Sequence, residues 1–211
     1  MSGDSSLDVK QLLGLQPSSD QLSSYLSTIS TLSEGSSTIP EVKSYSDAVY
    51  FNYHTLGLSL LFKPVNGYKP KTGLKREDLQ DANLELDGID IYNALKPKEG
   101  AAGRQTKSAY ASYPVDTLKL GLTPIADKER PEYVVAKRST TGKEFVSCMG
   151  EPDRKGGGAG PSIGSIGIWC EWSKDGIMVE FGGEESRGPK AWETGKDAVW
   201  KVISIFPPKT A

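Results

Sequence analysis

The sequence predicts an α+β protein made of two tandem helix-plus-antiparallel-meander units, which either form one continuous sheet or remain separate lobes. The main observation is an internal repeat. Residues 49–92 and 168–206 each contain an aromatic strand, a turn, an aliphatic strand that ends in Phe, a long loop and an Ile-x-Ile strand. A helix stop at glycine, Leu13-Gly14 or Met149-Gly150, precedes each copy. A three-stranded meander with one apolar face needs a covering helix to be stable.

Two short helices are expected before the first strand. Ser5 and Asp8 have the spacing of a capping box, and Gly14 is a good C-terminal cap, so a helix is predicted over residues 7–13. A second helix begins after Pro17. Its apolar residues recur at helical spacing and form one stripe: Leu22, Tyr25, Leu26 and Ile29.

The strands alternate with period 2, which divides each meander into a buried and a free face. The expected buried residues are Phe51, Tyr53, Leu58, Leu60, Phe62, Ile89 and Ile91 in the first copy, and Ile168, Cys170, Trp172, Ile177, Val179, Phe181, Ile203 and Ile205 in the second. Full burial of each large side chain stabilises the fold by about 1.5–3 kcal/mol, which fixes the register.

The predicted domain boundaries place the first unit at residues 1–95, a linker at 96–107 and the second unit at 108–211. The linker is rich in Pro, Gly, Ala and charge. In the second unit, extended segments at 113–122 and 133–137 precede a helix over 143–149, whose capping box is Thr141 and Glu144.

The glycine-rich segment 156–167 is expected to be a flexible linker. A phosphate-binding loop would run from a strand into a helix and continue with Gly-Lys-Ser/Thr. This segment instead leaves a helix and enters a strand.

Composition narrows the classes of partner. The chain has 25 Lys plus Arg against 27 Asp plus Glu, so its net charge of −2 gives no reason to expect nucleic acid or an anionic membrane. The chain has no apolar run of about 18 residues, so no membrane span is expected. Its polar start does not resemble a secretory signal, and a cytoplasmic location is therefore expected.

The cysteines and the histidine predict no cofactor or metal. Cys148 and Cys170 occupy apolar positions and are expected to be buried free thiols, with a disulfide between them as the alternative. The chain has no CxxC motif, and His54 is its only histidine, which argues against a metal site. His54 is expected to be a solvated residue at a strand end, because no nucleophile lies beside it in sequence.

The repeated unit resembles a known structural family. A helix ending in Leu/Met-Gly, an aromatic strand, a Gly-Leu/Ile-x-Leu/Val-x-Phe strand and an Ile-x-Ile strand are similar to the unit of β-lactamase-inhibitor-protein-like folds. Small bacterial outer-membrane assembly lipoproteins share that shape, but no lipoprotein signal is found here. The tandem arrangement resembles uncharacterised proteins, some thought to act as immunity or inhibitor proteins. The resemblance covers about two thirds of the chain, implies protein binding through the open sheet face and brings no catalytic residue.

The free face carries the candidate partner-binding residues. Tyr, Trp and Met on an otherwise polar face are typical of protein interfaces. The alternative is that the linkers or the loop at residues 66–83 cover these side chains. The predicted partner-binding residues are Tyr50, Tyr92, Trp169, Glu171, Met178 and Glu180.

Two of these residues allow a different interpretation. If Asp175-Gly176 forms a two-residue turn, Glu171 lies directly opposite Glu180, where two like charges are destabilising. Such a pair would meet a basic partner or act as a carboxylate pair with split pKa values. Otherwise, a nearby Lys or Arg pairs with them, or the turn is longer and the register differs.

The leading hypothesis is a non-catalytic, immunity- or inhibitor-like module that binds another protein and needs no cofactor. The alternative is a small-ligand binder or hydrolase that uses the pair Glu171 and Glu180. In either case Trp192, in the loop at residues 182–197, would serve as a lid or pack onto the body.

Overall fold

The computed structural model describes residues 8–94, 110–125, 129–158 and 167–209, and within these ranges it has an α+β fold. The predicted fold class is therefore confirmed. The chain divides into two compact units. The first unit comprises Leu12–Val115, and the second comprises Asp116–Ala211 together with the N-terminal residues through Gln11.

The first unit contains one long helix and a four-stranded antiparallel meander, in which each strand pairs with the next along the chain. The loop between the third and fourth strands contains two single 3-10 turns, at Arg76–Asp78 and Asp81–Asn83. The elements are α1 (Asp20–Leu32), β1 (Glu41–Ser44), β2 (Val49–Tyr53), β3 (Leu58–Pro64) and β4 (Leu84–Tyr92).

The second unit contains a two-stranded ladder and a second four-stranded antiparallel meander. The ladder pairs β5 (Thr117–Gly121) with β6 (Tyr133–Lys137). The remaining elements are α2 (Gly142–Met149), β7 (Arg154–Gly156), β8 (Trp169–Trp172), β9 (Ile177–Phe181), α3 (Ala191–Thr194) and β10 (Trp200–Ile205).

The N-terminal segment joins the second unit through polar contacts. Lys10 donates side-chain hydrogen bonds to the backbone oxygens of Gly121 and Asp175. Asp8 accepts a hydrogen bond from the Gly121 amide at 3.2 Å. Burial lowers the pKa of Lys10, and the attraction of Asp175 and Asp8 offsets part of that effect.

The predicted first helix is only a 3-10 turn, Val9–Leu12, in the part of it that the structure describes. The helix stops because the chain turns away to pair with β4. The Gly14 amide donates to the Leu86 carbonyl at 2.8 Å, and the Leu86 amide donates to the Leu15 carbonyl at 2.8 Å. Gly14 has a φ of +83°, a conformation that favours glycine.

The apolar patterning of the sequence is confirmed. The α1 stripe is buried, and so are all the strand residues that parity assigns to the buried faces. The capping box of α2 is present, with the Thr141 amide donating to Glu144 Oε2 at 2.7 Å. The helix ends at Gly150 as predicted.

Each meander has a fourth strand that the sequence did not predict. β1 adds to β2, and β7 adds to β8, each as a short strand that pairs with one neighbour among the described residues of its unit. Glu-Val-Lys-Ser and Arg-Lys-Gly are too short and too polar to show the alternation of a half-buried strand.

Some predictions fall on parts of the chain that are not described. The linker at residues 96–107 and most of the glycine-rich segment 156–167 lie outside the described residues. No helix among the described residues is long and apolar enough to cross a membrane.

Candidate functional site

An open cleft of about 560 Å³ lies on the free face of the first unit. Tyr45 and Tyr50 meet edge to face, with ring centroids 6.2 Å apart, and Tyr45 is 44% exposed. We call this concavity the tyrosine cleft. Its lining comprises Lys43, Tyr45, Asp47, Ala48, Tyr50, Asn52, His54 and Tyr110.

Tyr110, at the start of the chain segment that returns after residue 109, forms one wall of the tyrosine cleft. Its ring stacks on Tyr92, with centroids 3.7 Å apart and an interplanar angle of 1°. Its hydroxyl donates to Asn52 Oδ1 at 2.7 Å. The predicted site residue Tyr92 is therefore largely covered by this returning segment, whereas Tyr50 lines the open cleft.

Backbone contacts hold the returning segment in place. The Ala111 amide donates to the His54 carbonyl, and the Tyr113 amide donates to the Tyr92 carbonyl, both at 2.8 Å. The Tyr113 hydroxyl also bonds the Tyr25 hydroxyl on α1 at 2.5 Å. The wall of the tyrosine cleft is thus anchored to the sheet and to the helix.

The described neighbours of His54 do not provide a catalytic nucleophile. Its Nε2 lies 3.1 Å from Glu41, and its ring centroid is 4.4 Å from that of Tyr110. Its Nδ1 is buried and has no hydrogen-bond partner among the described residues. Among all the residues that the structure describes, no group of three or more His, Cys, Asp or Glu residues could hold a metal ion.

The free face of the second unit carries the other predicted residues. Trp169 lies opposite Glu180, and Glu171 lies opposite Met178, on neighbouring strands β8 and β9. The Arg154 guanidinium lies 6.0 Å from the Trp169 ring centroid. The structure thus brings these four predicted residues together on one face, with Trp169 and Met178 partly exposed.

Glu171 and Glu180 do not lie directly opposite each other, because the turn between β8 and β9 is longer than two residues, which is one of the alternatives that the sequence left open. Trp172 pairs with Ile177, which leaves four residues in the turn. Within this turn Asp175 is buried, at 1% exposed. Its carboxylate accepts bonds at 2.8 Å from the Arg130 side chain and from the Thr123 amide.

The two glutamates pair with different basic side chains. Glu180 pairs with Lys201 at 2.9 Å. Glu171 pairs with Lys209 at 3.0 Å and Arg154 at 3.2 Å, and accepts a hydrogen bond from Ser173 at 2.6 Å. Burial acts to raise the pKa of Glu171, but the Ser173 hydrogen bond and the two cations outweigh it and leave the pKa below its ordinary value.

The two cysteines are free thiols. Burial raises the pKa of Cys170 to about 11 and also raises the pKa of Cys148. Because the thiolate is the reactive form, these thiols are poor nucleophiles near neutral pH.

No protein-family model, curated protein or solved structure matches the chain. The local geometry of each unit is therefore the basis for a functional proposal.

Sequence reasoning missed Tyr110, Tyr45 and the edge strand β1 as parts of the site. Tyr110 follows the predicted linker, and the short spacing of Tyr110 and Tyr113 is the signal that could have suggested an anchored segment there. Nothing in the local pattern indicates that this segment returns to β2 and β4.

Proposed function

We propose that this chain is a non-catalytic protein-binding module that takes an extended segment of a partner protein into the tyrosine cleft. The observation that carries the proposal is the convergence of Tyr45, Tyr50 and Tyr110 on one open concavity. Tyrosine supplies a large and rigid contact area with a polar tip, which is why it is enriched at binding hot spots.

The chemistry of the lining favours a neutral, proline-containing segment. The cleft carries one lysine and one aspartate, Lys43 and Asp47, so it offers no strong field for a charged ligand. Grooves lined by aromatic rings recognise polyproline II segments, which are already extended and lose little entropy on binding. Tyrosine hydroxyls can donate to the backbone carbonyls that such a segment leaves free.

The stacked wall supports the same interpretation. Because Tyr110 is fixed by Tyr92, Asn52 and the backbone of its own segment, the cleft needs little rearrangement to receive a ligand. A preformed site loses less free energy on binding than one that must be ordered.

A cytoplasmic location is part of this proposal. Both cysteines are free, which is typical of proteins that work in a reducing compartment. The partly exposed residues Trp169 and Met178 of the second unit would be a separate contact surface for the same partner.

Selection from a displayed library of random peptides tests the proposal. The full chain should enrich proline-containing peptides, and the double variant Tyr45→Ala, Tyr50→Ala should bind them at least tenfold more weakly, because each truncation of a hot-spot aromatic costs about 1–2 kcal/mol. Tyr133→Ala is the matched control, since Tyr133 is similarly exposed, at 40%, but lies on β6.

Two results would refute the proposal. The first is enrichment of peptides whose affinity is the same for the wild type and the double variant. The second is an equal loss of affinity in Tyr133→Ala, which would mean that binding does not depend on the tyrosine cleft.

A further inference from the structure

A second cleft, of about 290 Å³, lies in the second unit between α2 and the segment formed by α3 and the 3-10 turn Gly195–Asp197. It is separate from the residues of the proposed protein-binding function. We call it the lysine-rimmed cleft.

The floor of the lysine-rimmed cleft is apolar. Three of its residues belong to the buried face of the meander and are at most 7% exposed: Ile168, Cys170 and Phe181. Val146 on α2 continues this surface. A gap over buried apolar side chains forfeits packing contacts, so filling it with an apolar group is favourable.

Two glycines set the shape of the lysine-rimmed cleft. A Cβ on Gly142 would lie 2.7 Å from the Gly195 carbonyl oxygen, and a Cβ on Gly195 would overlap Ile168. The start of α2 can therefore approach the 3-10 turn closely. The cleft is built into the packing of these elements.

Trp192 forms one wall of the lysine-rimmed cleft. Its side chain is 48% exposed, which is unusual for so large an apolar group. The Lys155 ammonium lies 5.8 Å from the centroid of its ring. An aromatic ligand could stack on the open face of this indole.

The rim is cationic. Lys143, Lys155 and Lys196 are all exposed at the mouth, and none of them forms an ion pair with any described residue. Glu151 is the one carboxylate in the lining. The mouth therefore carries an excess of positive charge above an apolar floor.

We propose that the lysine-rimmed cleft binds a small aromatic carboxylate, with its ring against Trp192 and the apolar floor and its carboxylate among the three lysines. The volume of about 290 Å³ accommodates one or two fused rings and lies at the lower end of the range of small-ligand sites. The apolar floor supplies most of the affinity, and the lysines select the anion over neutral molecules of the same shape.

Naphthalene-2-carboxylate is a suitable probe, with naphthalene-2-carboxamide as the neutral control of the same size. Calorimetry on the full chain should show one saturable site for the carboxylate, at least about fivefold tighter than for the carboxamide. The preference should shrink as salt is added, because the rim lysines are exposed.

Variants test the contributions of the Trp192 wall and of the lysine rim separately. Trp192→Ala should weaken binding of both probes about tenfold, since it removes the wall on which the rings stack. The double variant Lys143→Gln, Lys155→Gln should weaken only the carboxylate and reduce its preference over the carboxamide, because Lys196 alone remains at the rim. Lys174→Gln is the control, because Lys174 is an exposed lysine of the same unit that does not line this cleft.

The proposal is overturned if the full chain binds neither probe at millimolar concentration, or binds both equally. It is also overturned if Trp192→Ala leaves both affinities unchanged, which would place the probe elsewhere. Circular dichroism of each variant identifies any loss of binding that is due to unfolding.

Discussion

Gly57 is the residue on which the wall of the tyrosine cleft depends. It ends the 3-10 turn His54–Leu56 with a φ of +59°, and its α-carbon faces the returning segment. A Cβ there would overlap the backbone of Ala111 and Tyr113. Only glycine therefore allows this segment to approach and place Tyr110.

Gly57→Ala should lower the free energy of unfolding by more than about 2 kcal/mol, because backbone strain and a steric overlap add. Gly67→Ala is the matched control: Gly67 also has a positive φ, +75°, but open space surrounds its Cβ position. Its cost should stay near 1 kcal/mol. If urea unfolding gives the same loss of free energy for Gly57→Ala and Gly67→Ala, the close approach at Gly57 does not contribute to stability.

Glu171 is the residue where charge and stability are most closely linked. Its folded pKa lies below the ordinary value of 4.5. The ionised form is thus favoured by folding, and its stabilisation is complete above pH 4.5 and is lost as the pH falls through the lower folded pKa.

Glu171→Gln should therefore cost about 1–3 kcal/mol near neutral pH and reduce the loss of stability in acid. Urea unfolding as a function of pH measures both effects. Glu132→Gln is the control, because Glu132 is exposed and forms no ion pair with a described residue. An unchanged acid dependence in Glu171→Gln would contradict the linkage.

The sequence predicts some elements of the fold more completely than others. Strand parity and the α1 stripe depend on a local period, and burial follows them at every predicted position. The turn after β8 depends instead on Arg130 and Thr123, which lie 45 and 52 residues from Asp175 along the chain. Contacts of that range leave no local pattern, so the sequence alone left the register of Glu171 and Glu180 open.

The tyrosine cleft shows the same division. Tyr50 was predicted because parity places it on the free face, whereas Tyr110 was missed because its position depends on tertiary contacts. Each unit contains the expected order of strands. The tandem repeat itself remains a prediction that is based on the sequence pattern.

At the level of elements, α2 is the helix whose formation depends most on its cap. It has only eight residues, and Glu144 accepts bonds from both the Thr141 amide and the Thr141 hydroxyl. Glu144→Ala should lower the free energy of unfolding by about 1 kcal/mol. Glu193→Ala, on an exposed position of α3, should have a smaller effect. Equal effects would mean that the cap is not stabilising.

At the scale of the whole molecule, buried tyrosines predict an alkaline limit to stability. Burial raises the pKa values of Tyr53 and Tyr113 to about 12, and that of Tyr25 well above 10.0. These phenols contribute their full stabilisation below the unfolded pKa of about 10, and it is lost as the pH rises through the folded values.

The free energy of unfolding should therefore fall between about pH 10 and 12, by about 1.4 kcal/mol per pH unit for each such tyrosine. Tyr53→Phe should make the dependence of the free energy of unfolding on pH less steep by the contribution of one tyrosine. Tyr45→Phe is the control in the same unit, since Tyr45 is 44% exposed. A slope that Tyr53→Phe does not alter would contradict the assignment.

The central claim is that the chain binds a partner protein through the tyrosine cleft. Its most direct test is photo-crosslinking in extracts of the source cells, with a photoreactive phenylalanine analogue at Tyr50 and, separately, at Tyr133. We predict that the analogue at Tyr50 crosslinks to one recurrent, proline-containing segment of a partner, and that adding Tyr45→Ala abolishes the crosslink. The same products from Tyr133, or none from Tyr50, would contradict the claim.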